Sequence, residues 1–225
     1  MMEPALTLAQ EFILLASDGA THKWRKPMRS YLHTYAAGAV LIELLAKEAI
    51  RIGEKGKLEV VRAGYRDDEA GQWMIRKLSG AKPATLKKWV QRLYSRSRER
   101  SELFEAVARP LIRNGDLREE RHRVMLVFSA KRYVPSDASK DRIVRRIRAE
   151  LLESGPVTRQ TALLTMMLET GKLLKGYFSD YERNALEKRL RELQDEQDGQ
   201  WKSIRQIRKA IEEMDFTWIA VAAAT

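Results

Sequence analysis

Lys23, Arg25, Lys26 and Arg29 stand in a stretch that holds no acidic residue between Asp18 and Glu43, with Trp24 set among them. A guanidinium pairs with phosphate oxygens through parallel hydrogen bonds, and an indole can rest at a membrane interface. The chemistry open to Trp24, Arg25, Lys26 and Arg29 is therefore to hold an anion. That anion is a lipid headgroup, a nucleic-acid phosphate, or only the counterions of a solvated loop.

A second basic set follows at Lys87, Lys88, Arg92, Arg96, Arg98 and Arg100, with Glu99 the one acid between them. Positions 88, 92 and 96 recur every four residues and would share a helix face, either as a binding surface or as a plain solvated one. A third set joins Arg121 and Arg123 to the apolar run Val124, Met125, Leu126 and Val127. On a strand, alternation would turn only half of that run outward. Arg142, Arg145, Arg146 and Arg148 cluster opposite Ile143 and Ile147 and read as a solvated helix face.

Catalytic patterns are missing from the sequence. His22, His33 and His122 lack metal-ligand spacing. Gly53-Glu54-Lys55-Gly56-Lys57 has no four-residue spacer and carries Leu58 where a phosphate loop needs Ser or Thr, so it reads as a hairpin turn. There is no cysteine, which removes disulfides and thiol catalysis. Met166, Met167 and Met214 read as core filling. The expectation is a non-enzyme with no cofactor.

The elements that must position these residues are mostly helical. The chain has 225 residues, 44% of them hydrophobic, enough for one substantial core. Its net charge of +11 favours anionic partners. Apolar runs reach about eight residues where a membrane span needs about 20, and Met1 to Leu6 lack the charged and apolar regions expected of a signal peptide. The expected location is cytoplasmic, with any membrane contact peripheral.

Thr7 with Gln10 reads as a capping box opening a helix to Ser17, closed by Gly19. A helix over 29–47 follows, with Leu41, Leu44 and Leu45 on its buried face, and then a hairpin from residues 50–52 and 58–61. Asp67 or Asp68 caps a helix to Leu78, and Thr85 opens one to Ser95. Another spans 101–113, with Gly115 as its stop. A second hairpin over roughly 117–128 would carry Glu120, Arg121 and His122 at its tip. Residues 139–152, 158–168, 179–194 and 201–224 complete the set as helices. The fold class is mainly α: one globular multi-helix domain over 1–225, with a central apolar bundle and short β-hairpins.

Read in order, LTLAQEFILLA, GAVLIELL, LIRNGDL before VMLVF, TALLTMMLETGKLLKGYF and the terminal WIAVAAAT resemble the Golgi phosphoprotein 3 and vacuolar sorting family. The length is similar to that of its prokaryotic branch. The resemblance implies a helical domain with short hairpins. Eukaryotic members are peripheral membrane proteins that bind phosphatidylinositol 4-phosphate and grip the cytoplasmic tails of membrane enzymes. Their headgroup pocket uses a Trp and an Arg before the second helix core, positions that fall here on Met28 and Ala37. It also uses an Arg pair in the helix before the second hairpin. That pair falls on Ser101 and Phe104, or on Ser95 and Arg98 with a short gap. The family's inserting hairpin carries over to roughly Leu117 to Phe128, with Val124, Met125, Leu126 and Val127 as its apolar residues.

The resulting expectation is a peripheral protein that binds anionic phospholipid through Trp24, Arg25, Lys26, Arg29, Arg96, Arg98, Arg100, Arg121 and Arg123 and the hairpin. Nucleic acid, met by a basic helix over 85–100 and the hairpin, is the alternative partner. Cytoplasmic tails of membrane enzymes are the third.

Overall fold

The computed structural model describes residues 5–17, 26–124, 128–153 and 155–195, with the backbone alone at 26–31, 121–124, 128–131 and 194–195. Among the described residues it is mainly helical, with eight α-helices and two antiparallel strand pairs.

Helix α1 (Leu8–Ala16) opens with the capping box the sequence predicts. The Gln10 amide donates to Thr7 Oγ1 at 3.2 Å, and the Thr7 amide donates to Gln10 Oε1 at 2.9 Å. All nine of its residues are buried, so it runs through the core as a pillar. Helix α2 (Lys26–Ala46) packs against it and is itself deeply embedded, with Ala36, Ala37 and Ala39 fully buried. Leu41 and Leu44 are buried as expected, and Leu45 is partly so. Glu48 takes a left-handed φ of 54° to end the helix, and the Ala49 amide closes back on the Leu44 carbonyl.

Strands β1 (Ile50–Ile52) and β2 (Leu58–Val60) form the first hairpin in the register Ile50↔Val60 to Ile52↔Leu58. A single 3₁₀ turn, Glu54–Gly56, makes its tip. Asp68 caps α3 (Glu69–Ser79) by accepting from the Gly71 amide at 2.6 Å, and Thr85 caps α4 (Leu86–Ser95). Helix α4 buries Leu86, Trp89, Val90 and Leu93 and turns Lys87 and Lys88 outward.

Helix α4 ends at Ser95 as the sequence predicts, so the basic helix over 85–100 of the nucleic-acid alternative is corrected to parts of two helices. The chain leaves helical geometry at Arg96 (φ −101°, ψ 80°), and α5 (Ser97–Arg113) starts there, four residues earlier than the sequence suggests. Gly115, at φ 80°, ends α5 as expected. Strands β3 (Leu117–Val124) and β4 (Phe128–Pro135) then pair over their full eight residues. This too is a correction. Glu120, Arg121 and His122 lie mid-strand, opposite Arg132, Lys131 and Ala130, rather than at a tip. The run LREERHRV is charged nearly throughout, so no alternation of apolar residues marks it as a strand.

Helices α6 (Asp137–Leu151), α7 (Arg159–Thr170) and α8 (Asp180–Asp195) close the fold. Ile143, Ile147 and Leu151 bury one stripe of α6, and Ala162 to Leu168 bury most of α7, so buried side chains from all these helices join one core. Of the four arginines of α6, Arg142 and Arg145 are exposed as the sequence suggests, but Arg146 and Arg148 are half-buried and tie the fold together. Arg146 reaches across to α1 and grips Glu11 bidentately at 2.6 and 2.7 Å. Arg148 donates to Glu182 at 2.7 Å and to the Tyr177 carbonyl at 2.9 Å, and Arg142 pairs with Asp116 at 3.3 Å. The expected Gly19 stop and the helix over 201–224 lie outside the described residues.

Candidate functional site

Trp24 and Arg25 lie outside the described residues. The backbone places Lys26 and Arg29 at the start of α2, whose first turn holds no acid. The helix macrodipole adds positive character at that end.

The second basic set divides at the α4–α5 joint. Arg92 lies over the Trp89 ring at 4.7 Å. Arg96 is exposed and pairs with Glu99 at 3.3 Å, and Lys77 reaches the same carboxylate at 3.2 Å. Burial pushes the Glu99 pKa up, but the hydrogen bond and charge of Lys77, joined by Arg96, outweigh it and hold the group below the usual carboxylate range. Arg98 is exposed and meets Glu102 at 3.1 Å. Arg100 turns inward. It is 8% exposed, donates to the Tyr94 carbonyl, and lies over the Tyr94 ring at 5.4 Å. Burial lowers its pKa. The structure thus brings Arg96 and Arg98 together at one surface joint and places Arg100 beneath it.

In the second hairpin, Arg121 pairs in register with Lys131 and Arg123 with Ser129, two residues apart and so on one face of the ribbon. Val124 is the last residue of β3, opposite Phe128. Met125, Leu126 and Val127, which join the strands, lie outside the described residues. The base of the ribbon is packed, with Leu117 buried and Tyr133 meeting Phe104 edge-to-face at 5.0 Å.

The family model of Golgi phosphoprotein 3 matches residues 8–214. The chain belongs to the Golgi phosphoprotein 3 family. No curated protein matches it. Two of the positions onto which the resemblance carries the family's headgroup residues, Ala37 and (without a gap) Phe104, are core positions in this chain. Ala37 and Phe104 are both fully buried. Phe104 sits between Tyr133 and the His33 ring, which stacks on it at 4.0 Å. Ser101 is half-buried, and Met28 lies at the start of α2. Without a gap, an aromatic stack occupies the position onto which the resemblance carries the second arginine; with the short gap that position is the exposed Arg98.

Among the described residues, no group of three or more His, Asp or Glu could hold a metal ion. A cleft of about 230 Å³ between α3 and α5 is lined by Glu69, Trp73, Arg76, Glu102, Glu105 and Arg109. It is smaller than the usual small-molecule pocket, and an Arg109–Glu69 ion pair spans it.

The sequence reading missed one grouping. Lys57 forms a β-bridge with Thr85, and the Leu58 amide donates to the Ala84 carbonyl at 2.9 Å. These contacts carry the first hairpin's tip, with Lys55 and Lys57, to the start of α4, beside Lys82, Lys87 and Lys88. The hairpin's base is held by a chain of polar contacts. Tyr65 Oη donates to Asp68 at 2.6 Å, while Lys47 Nζ donates to Tyr65 Oη at 3.2 Å and meets Glu43 at 2.9 Å. Burial raises the Glu43 pKa, and burial with the Asp68 contact raises that of Tyr65. The only sequence signal for this grouping was the recurrence of lysine at 55, 57, 82, 87 and 88 in segments nearly thirty positions apart.

Proposed function

We propose that this chain is a non-enzymatic peripheral membrane protein that binds anionic phospholipid through a basic surface and the β3–β4 hairpin. The observation that carries the reading is the family match across residues 8–214. The hairpin supports it. Two eight-residue strands run from a packed base at Leu117 and Tyr133 to an end whose sequence, Val124 to Val127, is wholly apolar. At about 3.4 Å per residue, seven steps of strand separate base from end by about 24 Å, more than the depth of a headgroup layer.

The mechanism combines three terms. Long-range attraction brings a chain of net charge +11 to an anionic leaflet. Exposed arginines, Arg96 and Arg98 among them, exchange their carboxylate partners for phosphate oxygens, at little cost because surface pairs are weak. The apolar end of the hairpin enters the interface. No described helix is long and apolar enough to cross a membrane, so the contact proposed is interfacial. The burial of Ala37 and Phe104 favours recognition by charge over a phosphatidylinositol 4-phosphate pocket of the eukaryotic type.

The test is co-flotation with vesicles of phosphatidylcholine alone, with added phosphatidylglycerol, and with added phosphatidylinositol 4-phosphate. Binding to both anionic sets at matched charge, and its loss between about 0.05 and 0.5 M salt, is expected. Equal failure to bind all three vesicles at low salt sinks the proposal. A clear preference for the phosphoinositide at matched charge refutes the charge-only form.

A further inference from the structure

Five lysines gather where the first hairpin meets α4. Lys55 and Lys57 come from the hairpin tip, Lys82 from the loop after α3, and Lys87 and Lys88 from the first turn of α4. All five are exposed. The Lys57–Thr85 bridge and the Leu58–Ala84 hydrogen bond hold the segments together. Contact is close enough that a methyl group on Gly56 would sit 3.9 Å from the Thr85 methyl.

The fold gains little from these charges. Among the described residues none of the five makes an ion pair, whereas Arg51 in the same hairpin is matched by Glu59 at 2.8 Å. Lys87 and Lys88 stand in a first turn without an acid, where the positive end of the macrodipole opposes them. Lys55 holds φ 57° and ψ 26°, a left-handed geometry that Gly or Asn adopts at lower cost. Glu54 is the one acid in the tip itself. Five unpaired cations, two set against a helix dipole and one on strained backbone, suit an external partner of opposite charge.

The partner's chemistry follows from the residue types. Lysine ammoniums are strongly hydrated point charges without arginine's planar fork. Spread over three chain segments, they fit the diffuse field of an anionic bilayer. A single-stranded nucleic acid would call for exposed aromatic platforms, and Trp89 of α4 is only 4% exposed. Ile52, just before the tip and 38% exposed, adds an apolar contact suited to an interface. We propose that this lysine face docks on anionic phospholipid, an inference that rests on the membrane reading above and assigns it a surface outside the second hairpin.

The experiment compares two triple charge reversals on the full chain, each checked for wild-type helix content by circular dichroism. One is Lys55→Glu, Lys57→Glu and Lys87→Glu; the other is Arg113→Glu, Lys172→Glu and Lys175→Glu, exposed positions at the end of α5 and after α7 with the same change in net charge. Affinity is measured for phosphatidylcholine vesicles containing phosphatidylglycerol. Loss of about tenfold or more in the first variant, against about twofold in the second, is expected. Equal losses overturn the proposal, because net charge alone would explain them. An unaltered first variant, beside a Met125→Asp variant that no longer binds, removes the lysine face and leaves the membrane reading standing. A wild-type chain that ignores anionic vesicles removes both. If it then shifts duplex DNA and the first variant does not, the face belongs to nucleic acid.

Discussion

Replacing Arg146 by Met should destabilise the protein more than replacing Glu11 by Gln. The Glu11 side chain is 2% exposed, while that of Arg146 keeps 33%. Burial disfavours the Arg146 charge, and the hydrogen bonds and charge of Glu11 outweigh that penalty, leaving its pKa raised. Without Arg146, the Glu11 carboxylate is left in the core with no cation. Removing one member of a buried pair costs about 3–5 kcal/mol, and the partial water access at this site argues for about 3. Glu11→Gln leaves the guanidinium with Glu150 at 3.8 Å and water on its open side, for a cost of about 1–2 kcal/mol. In urea, with m of about 2–3 kcal/mol/M, the first change lowers the midpoint by about 1 M or slightly more, and the second by about half that. The double variant Glu11→Leu with Arg146→Met recovers most of the loss, since no charge is then left alone. Equal shifts below about 1 kcal/mol for the two single variants would show a solvated pair and refute the reasoning.

Phe104→Ala should cost about 3–5 kcal/mol, because a fully buried ring between His33 and Tyr133 leaves a cavity beneath the second hairpin; a loss of unfolding free energy under about 1 kcal/mol in urea would contradict that packing. Glu182 is drawn down to about 2 by the hydrogen bond from Arg148, with the Ser179 amide adding to it. A carboxylate depressed in the folded state contributes stability that is present above its unfolded value of 4.5 and lost as pH falls through that value toward about 2. The wild-type Tm should therefore fall more steeply over that window than the Tm of Glu182→Gln, and parallel curves count against the assignment. Lys55→Gly should leave stability unchanged or raise it by up to about 1 kcal/mol, as left-handed strain is relieved against the entropy of glycine, while vesicle affinity weakens. A joint fall in stability and affinity would mean that the lysine serves the fold.

Local signals carried most of the fold. Thr7, Asp68, Thr85 and Thr158 each cap a helix through contacts within three residues, and Gly115 takes the left-handed stop, so each is readable in a short window. β3 was less legible because a charged ribbon has no apolar alternation to display. The end of α4 at Ser95 was legible, but the start of α5 was not, because Arg96 to Arg100 is a polar run without an apolar period and only the observed ψ of 80° at Arg96 fixes the joint. In the candidate site, the sequence found the clusters but not their ties. Whether Arg100 faces solvent depends on the Tyr94 carbonyl, and whether Arg146 is free depends on a carboxylate 135 positions away. The lysine face needed the Lys57–Thr85 bridge, a tertiary contact that no periodicity encodes.

The pillar helix has a consequence for how the chain is made. α1 comes first in chain order among the described elements, and every one of its residues is buried. Partners of this helix and of the residues leading into it come late: Arg146 for Glu11, Gln160 Nε2 for the carbonyl of Leu6 just before it at 2.9 Å, and Tyr177 Oη for the Leu15 carbonyl at 2.6 Å. These contacts therefore cannot form until about 160 residues have followed α1, and until then the nascent chain carries an apolar segment without its partners. Contacts this distant in sequence slow folding and lengthen the time that surface is exposed. A ribosome-bound chain stopped before α7 should engage chaperones through residues 8–16, and one extended past Tyr177 should release them.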